Sequence, residues 1–152
     1  MKLKGTRFGD IEFKKDDVIH FVDGMIGFQN LDQYVVVNTK EGSPYRWLQS
    51  VQEPKLAFLV SVPESFLNEY APVISDFEAN SLGLTSETPH LVLVTTTIPP
   101  GNPQLATANL AAPVIINLET RKAKQVILDD EAYTIRYPIF SGSQDVAKLA
   151  AA

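Results

Sequence analysis

Apolar residues recur along this chain in short bursts, and Gly, Pro, Asn or Asp closes each one. The bursts read "YVVVN" (34–38), "YRWLQSV" (45–51), "LAFLVSV" (56–62), "HLVLVTTTI" (90–98), "PVIINL" (113–118), "AKQVILD" (123–129) and "AYTIRYPI" (132–139). They are rich in β-branched and aromatic residues, which fit a pleated, half-buried surface. A burst roughly every ten residues, punctuated by turn formers, predicts antiparallel strands that close into a barrel or a barrel-like sandwich. Further strands precede these. "TRFGDIEF" (6–13) sets Gly9-Asp10 between two short runs as a hairpin turn. "DDVIHFVDG" (16–24) alternates, with Ile19 and Phe21 on one face and Val18, His20 and Val22 on the other, and stops at Asp23-Gly24.

Helix is scarce. Ser75 is a candidate N-cap for "DFEANSLGL" (76–84), and Glu78, three residues on, completes a capping box. "QNLDQY" (29–34) has room for one turn. Neither is long enough to carry a parallel crossover. The predicted fold is therefore all-β, mainly antiparallel, with one or two short helices. Pro99, Pro100 and Pro103 cannot donate ladder hydrogen bonds, so they close one strand and hold "IPPGNPQ" (98–104) out of the sheet. Pro113 stands at the first position of "PVIINL", where a missing N–H is tolerated. The run behind it reads as a buried strand, with Asn109 and Asn117 pinning the turns at its two ends through side-chain bonds to backbone.

A chain of 152 residues holds one domain with a proper core. That domain is expected over residues 1–146. The terminal "KLAAA" (148–152) resembles vector-derived sequence, so 147–152 is expected to be such a tail or disordered, without function. No cysteine is present, which excludes disulfides, thiolate zinc sites and cysteine nucleophiles and accords with a reducing compartment. No run approaches the ~18 apolar residues of a membrane span, and "MKLKGTRFGD" lacks the apolar core of a signal peptide. The expected location is the cytoplasm, away from membranes.

The net charge of −5 is unevenly spread. Between Lys55 and Arg121 there is no Lys or Arg, while Glu64, Glu69, Asp76, Glu78, Glu87 and Glu119 fall in that interval. Such a stretch repels phosphate backbones and attracts basic proteins. A solvated face is the plainer account of the same charges.

The catalytic inventory is thin. His20 and His90 are the only histidines, and neither has the HExxH spacing of a metal site. "GMIGF" (24–28) lacks the Gly-Lys-Ser/Thr of a phosphate loop; turn geometry accounts for both glycines. The acidic groups Asp16-Asp17 and Asp129-Asp130-Glu131 lie at strand boundaries, where Asp favours turns. No GxSxG elbow occurs. Arg121, Lys122 and Lys124 sit at a hairpin without interleaved aromatics. Strand alternation splits them, with Lys122 and Lys124 on the face of Val126 and Leu128, and Arg121 on that of Ala123, Gln125 and Ile127. Direct nucleic-acid binding is therefore not expected, nor is a cofactor, a metal or a catalytic residue.

Five segments in order, "FGDIEF", "VIHFVDGMIGFQNLDQYVVV", "PYRWLQSVQEPKLAFLV", "NLAAPVIIN" and "AKQVIL", resemble the flagellar assembly factor FliW family over about residues 5–138. The most specific pieces are Trp47–Ser50 followed by Pro54 and Leu56-Ala57-Phe58, and Asn109–Asn117. The resemblance implies a small cytoplasmic β-barrel-like protein that is not an enzyme. It implies binding to the RNA-binding translational repressor CsrA and to flagellin, with flagellin displacing CsrA. The freed CsrA would then repress flagellin translation.

Flagellin's terminal segments form amphipathic helices in filaments, so an apolar groove is the expected receptor. Loop-borne apolar residues are the candidates for its lining: Phe66, Leu67, Tyr70, Phe77, Ile98 and Leu110. Ordinary core is the alternative for each. Asp76 and Glu78 are candidates for a basic partner, and Asn109 for a contact at the loop end of its strand. The competing class is a small-ligand-binding or hydrolytic β-barrel. It requires a deep pocket of convergent polar groups, such as His20 facing a carboxylate.

Overall fold

In the computed structural model, which describes residues 1–140, the chain runs through strands β1 (Lys2–Thr6), β2 (Gly9–Glu12), β3 (Ile19–Phe21), β4 (Gln33–Val37), β5 (Tyr45–Ser50) and β6 (Ala57–Ser61). Helix α1 (Asp76–Leu82) follows, then β7 (His90–Thr97), β8 (Thr107–Ala108), β9 (Val114–Asn117), β10 (Lys122–Gln125) and β11 (Tyr137–Pro138). Residues 147–152, read above as a tail, lie outside the described residues.

Seven strands close a barrel in the order β7-β6-β5-β4-β3-β10-β9, with β9 returning to β7. All its pairings are antiparallel except β3 with β10, where His20 stands opposite Lys122 and Phe21 opposite Ala123. Closure removes most free strand edges. The barrel with one short α-helix is the architecture that the strand pattern predicts. Its interior collects the inward half of each alternating run: Ile19, Phe21, Tyr34, Leu48, Val60, Leu93, Val114, Ile116 and Ala123, with Met25 from a loop.

The first hairpin stands apart from the barrel sheet. Its turn falls earlier than Gly9-Asp10: Thr6 pairs with Gly9, Arg7 and Phe8 form the tip, and Asp10 belongs to β2. Gly9 closes the turn at φ 80°, a left-handed conformation that glycine adopts without strain. The alternation of Ile19 and Phe21 inward holds, but the strand is short, because Lys15–Asp17 form a 3-10 turn before it. "QNLDQY" makes no helical turn: Leu31 N–H bonds the Phe28 carbonyl and β4 starts at Gln33. "AYTIRYPI" shortens to β11, because Tyr133 closes a turn on Asp130 and packs its ring 4.8 Å from that of Tyr70.

Helix α1 begins as the sequence suggests, with the Glu78 N–H donating to Ser75 Oγ at 3.2 Å, and ends at Gly83 with φ 68°. The capping box is only half made. The Glu78 carboxylate turns away from Ser75 and accepts from Lys124 Nζ at 2.8 Å. The helix lies over the outer face of the barrel through Leu82, which packs with Ile115 and Val126. Every residue of β9 is therefore buried, Val114 and Ile116 by the barrel interior and Ile115 by the helix cluster. Burial of Leu82 and Ile115 contributes roughly 1.5–3 kcal/mol each.

Strand β7 changes partners along its length. Residues 90–93 pair with β9, Val94 and Thr95 with β6, and Thr96 and Thr97 with β8. Strand β11 then adds to β8. This extension shelters a second cluster, in which Tyr70, Val94, Ala108 and Leu110 are buried against Phe66, Leu67, Tyr133 and Tyr137.

Candidate partner-binding surface

The residues that carry the sequence resemblance build turns. Gln49, fully buried, directs its amide nitrogen at the carbonyls of Ser50, Pro54 and Leu56, 2.9, 3.0 and 3.1 Å away. Ser50 Oγ accepts from the N–H groups of Gln52 and Glu53. The "LQS" of "WLQS" thus fixes the connection from β5 to β6. At the far side, Asn117 Nδ2 donates to the Leu82 carbonyl at 2.8 Å, and its Oδ1 accepts from the N–H groups of Glu119 and Thr120. Asn109 Oδ1 accepts from Ala111 N–H. Both asparagines pin turns, and Asn117 also ties the end of α1 to β9.

Beyond these joints, a depression lies where β6 and β7 part. The register of β6 on β7 ends at Val60 opposite Thr95, so among the described residues Ala57–Leu59 have no register partner on that side. A groove of about 780 Å³ opens there. Its floor and walls include Met25, Ile26, Trp47, Phe58 and Ile98, with Asn109 and Gln125 at its polar margin. A smaller depression of about 500 Å³ continues it along Thr95 and Thr97 to Leu105, Ile135 and Arg136. The tip of the first hairpin borders the larger groove, with the Arg7 guanidinium 3.9 Å from the centre of the Trp47 ring. Phe8 meets the same indole edge-on at 5.6 Å.

The residues singled out from sequence fall into three places. Phe66, Tyr70 and Leu110 share the second cluster, where Tyr70 OH donates to the Leu110 carbonyl at 2.7 Å. Tyr70 and Leu110, 8% and 1% exposed, pack in this cluster and border neither depression, so the ordinary-core alternative holds for both. Burial, with the neighbouring Tyr133, holds the Tyr70 phenol above its usual pKa. Ile98 and Asn109 do meet, at the groove between β6 and β7. Asp76, Phe77 and Glu78 share the first turn of α1, where Asp76 and Phe77 face solvent and Glu78 is half-buried against Lys124. Phe77 is 73% exposed, with Lys124 Nζ 5.7 Å from its ring centre.

Lys124 also lies 3.3 Å from Asp23, and its pKa is raised chiefly by the hydrogen bond to Glu78. That pairing removes it from any basic patch, while Arg121 donates to the Asp17 carbonyl. Glu64, Glu69, Asp76 and Glu87 remain exposed on the acidic interval. His20 and His90 are exposed and neither lines the groove. Among the described residues no group of His, Asp and Glu is placed to hold a metal ion. Sequence reasoning missed Arg7, Trp47 and Phe58 as groove residues. The signal available was their place in the specific segments "FGDIEF" and "PYRWLQSVQEPKLAFLV" and next to them.

Fold and surface together define a small closed β-barrel protein with a groove of mixed polar and apolar lining where β6 and β7 part, and a short helix whose first turn exposes Asp76 and Phe77. A family model described as FliW protein matches residues 2–139, and the chain belongs to that family. It is 39% identical over 140 residues to a flagellar assembly factor FliW of Leptospira biflexa serovar Patoc, covering 92% of each chain. The corresponding protein of Bdellovibrio bacteriovorus is 38% identical over 144 residues, spanning 95% of this chain and 82% of that one. A solved structure, the crystal structure of the flagellar assembly factor FliW, superposes with a TM-score of 0.85 at 32% identity, covering 93% of this chain and 98% of the other.

Proposed function

We propose that this chain is a cytoplasmic flagellar assembly factor that works by binding proteins, without catalysis. Its partners are flagellin and the translational repressor CsrA, and flagellin displaces CsrA. The observation that carries the reading is the FliW match across residues 2–139, with relatives named flagellar assembly factor covering nine-tenths of this chain or more. The surface is consistent with two modes of binding. Exposed Asp76 and Phe77, near Glu64, Glu69 and Glu87 in sequence, offer carboxylates and an apolar contact to a basic protein. The groove at Ile98 and Asn109, lined by both apolar and polar side chains, offers a receptor for flagellin.

Charge reversal at Asp76 tests the acidic contact, because among the described residues Asp76 holds no ion pair whereas Glu78 supports Lys124. Asp76→Lys is expected to weaken CsrA binding and to flatten its salt dependence; unchanged affinity at low salt removes this contact from the mechanism. Calorimetric titration of CsrA into a preformed flagellin complex tests the partner switch. Binding of undiminished affinity would falsify it.

A further inference from the structure

We infer that the groove between β6 and β7 binds its partner as an extended strand, and that this strand is apolar with carboxylate groups at its flanks. The inference rests on the reading of this chain as a binding protein and adds the mode and chemistry of recognition. Three independent features converge. The first is the backbone. Phe58 turns its N–H and C=O toward Leu48 of β5, in step with the Ser50–Leu56 and Val62–Pro44 bonds. Ala57 and Leu59 therefore direct theirs to the β7 side, beyond the last registered pair at Val60 and Thr95 among the described residues. A barrel otherwise abolishes such edges, and an exposed one templates the addition of another strand. An amphipathic helix satisfies its own backbone and would leave these groups unused.

The second feature is the lining. Phe58 points to the barrel interior, where it packs on the core, and Ile98 sits 40% exposed across the gap. Met25 and Trp47 line it too, with Thr95–Thr97, Asn109 and Gln125 as polar neighbours that can bond the backbone of an added strand. Side chains of an added strand alternate between two faces, so one set would enter over Met25 and Phe58 and the other would lie along Trp47.

The third feature is charge. The chain carries −5 overall, yet among the described residues no Asp or Glu lines the groove or its continuation. Arg7 borders one and Arg136 the other, both exposed, and neither forms an ion pair among the described residues. Arg7 is held in place by stacking on Trp47 rather than by a carboxylate. A guanidinium so placed has its fork of donors free for a carboxylate of the incoming chain. A basic segment would meet two like charges and no counter-charge.

The test is selection of a displayed library of random linear peptides on the intact protein, followed by fluorescence anisotropy of the enriched peptides. Enrichment of alternating apolar sequences with Asp or Glu at their flanks is expected. Affinity should fall about tenfold or more in Arg7→Glu and in Ile98→Asp, both exposed positions, with circular dichroism and melting unchanged. Blocking peptide N–H groups by N-methylation on one edge should abolish binding, a readout that a purely side-chain contact would not give. Enrichment of basic peptides, of apolar residues at helical spacing, or of nothing overturns the inference. So does binding that ignores both variants. Sedimentation showing a dimer that Ile98→Asp dissociates would assign the edge to a second copy of this chain and equally refute it. Flagellin binding that survives both variants would sink the strand mode while leaving the proposed function standing.

Discussion

Asn117 should contribute several times more to stability than Asn109, although the two look alike as brackets of the same apolar run. Asn117 is 1% exposed and makes three side-chain hydrogen bonds, whereas half-buried Asn109 makes one. Its bond to the Leu82 carbonyl matters most. Leu82 is the last residue of α1, so its carbonyl is one of those a helix end leaves without an intrahelical partner. Asn117→Ala strands that buried acceptor, at about 1–3 kcal/mol, and gives up two bonds to the exposed turn at Glu119 and Thr120, where water compensates in part. The expected total is roughly 2–4 kcal/mol, against about 0.5–1 for Asn109→Ala. At about 2–4 °C per kcal/mol for a domain of this size, melting should fall by roughly 5–15 °C. Asn117→Asp separates the roles, since it keeps the oxygen acceptor for the turn but loses the donor and sets a carboxylate against the carbonyl. It should cost about 2 kcal/mol or more. Urea unfolding followed by Trp47, the sole tryptophan, measures all three. If Asn117→Ala costs no more than Asn109→Ala, or Asn117→Asp matches the parent chain, the tie between helix and β9 is not what this residue supplies.

Lys124→Met should cost roughly 2–3 kcal/mol by leaving the half-buried Glu78 carboxylate without a cation, whereas Glu78→Gln, which leaves Lys124 its contact with Asp23, should cost about 1. The double variant should cost less than the two together, and strict additivity in chemical denaturation would refute the coupling. Tyr34 is fully buried, its phenol pushed from 10.0 to about 12 by burial and then by Asp32. A raised pKa means the associated stability is complete below pH 10 and is lost as pH rises towards 12, by roughly 2–3 kcal/mol; raised Lys124 acts in the same direction above 10.5. Tyr34→Phe, whose lost hydroxyl has no hydrogen-bond partner among the described residues, should change neutral-pH stability by about 1 kcal/mol or less and flatten the alkaline decline. A decline as steep as the parent's in pH-dependent melting would exclude Tyr34 as its source. Gly24→Ala sets a methyl 2.7 Å from Gln29 Cα and the Phe28 carbonyl at φ 67°, so it should cost about 3 kcal/mol or more, while Gly27→Ala, at φ 88° in open space, should cost about 1. Equal losses by calorimetry would show that the loop under the groove yields freely.

Strand positions were legible because alternation and turn chemistry act over a few residues. The runs at 34–38, 45–51, 56–62 and 90–98 lie on β4 to β7, and Ser75 caps α1. "PVIINL" read as a buried strand beginning at Pro113, and the structure buries Val114–Asn117 in full. The neighbours of those strands were another matter. Glu78 looked like the second half of a capping box from local spacing, but Lys124, 46 residues away, competes for its carboxylate and wins by offering a cation. Tyr70 and Leu110, 40 residues apart, looked loop-borne until the β8 extension of β7 roofed them over. Of the groove only Ile98 and Asn109 were picked out from sequence, since it exists where β6 stops pairing with β7.

The sequence by itself determined the strands, the helix cap, the absence of cysteine chemistry and the resemblance to one family. These depend on residue type and short-range spacing, which the chain carries in linear order. Only the tertiary structure decided which polar side chains became joints, which apolar ones became core, and where a sheet edge stayed open. Those outcomes depend on the closing order of the barrel, including the parallel β3–β10 pair, and local pattern does not encode which distant strands share a ladder.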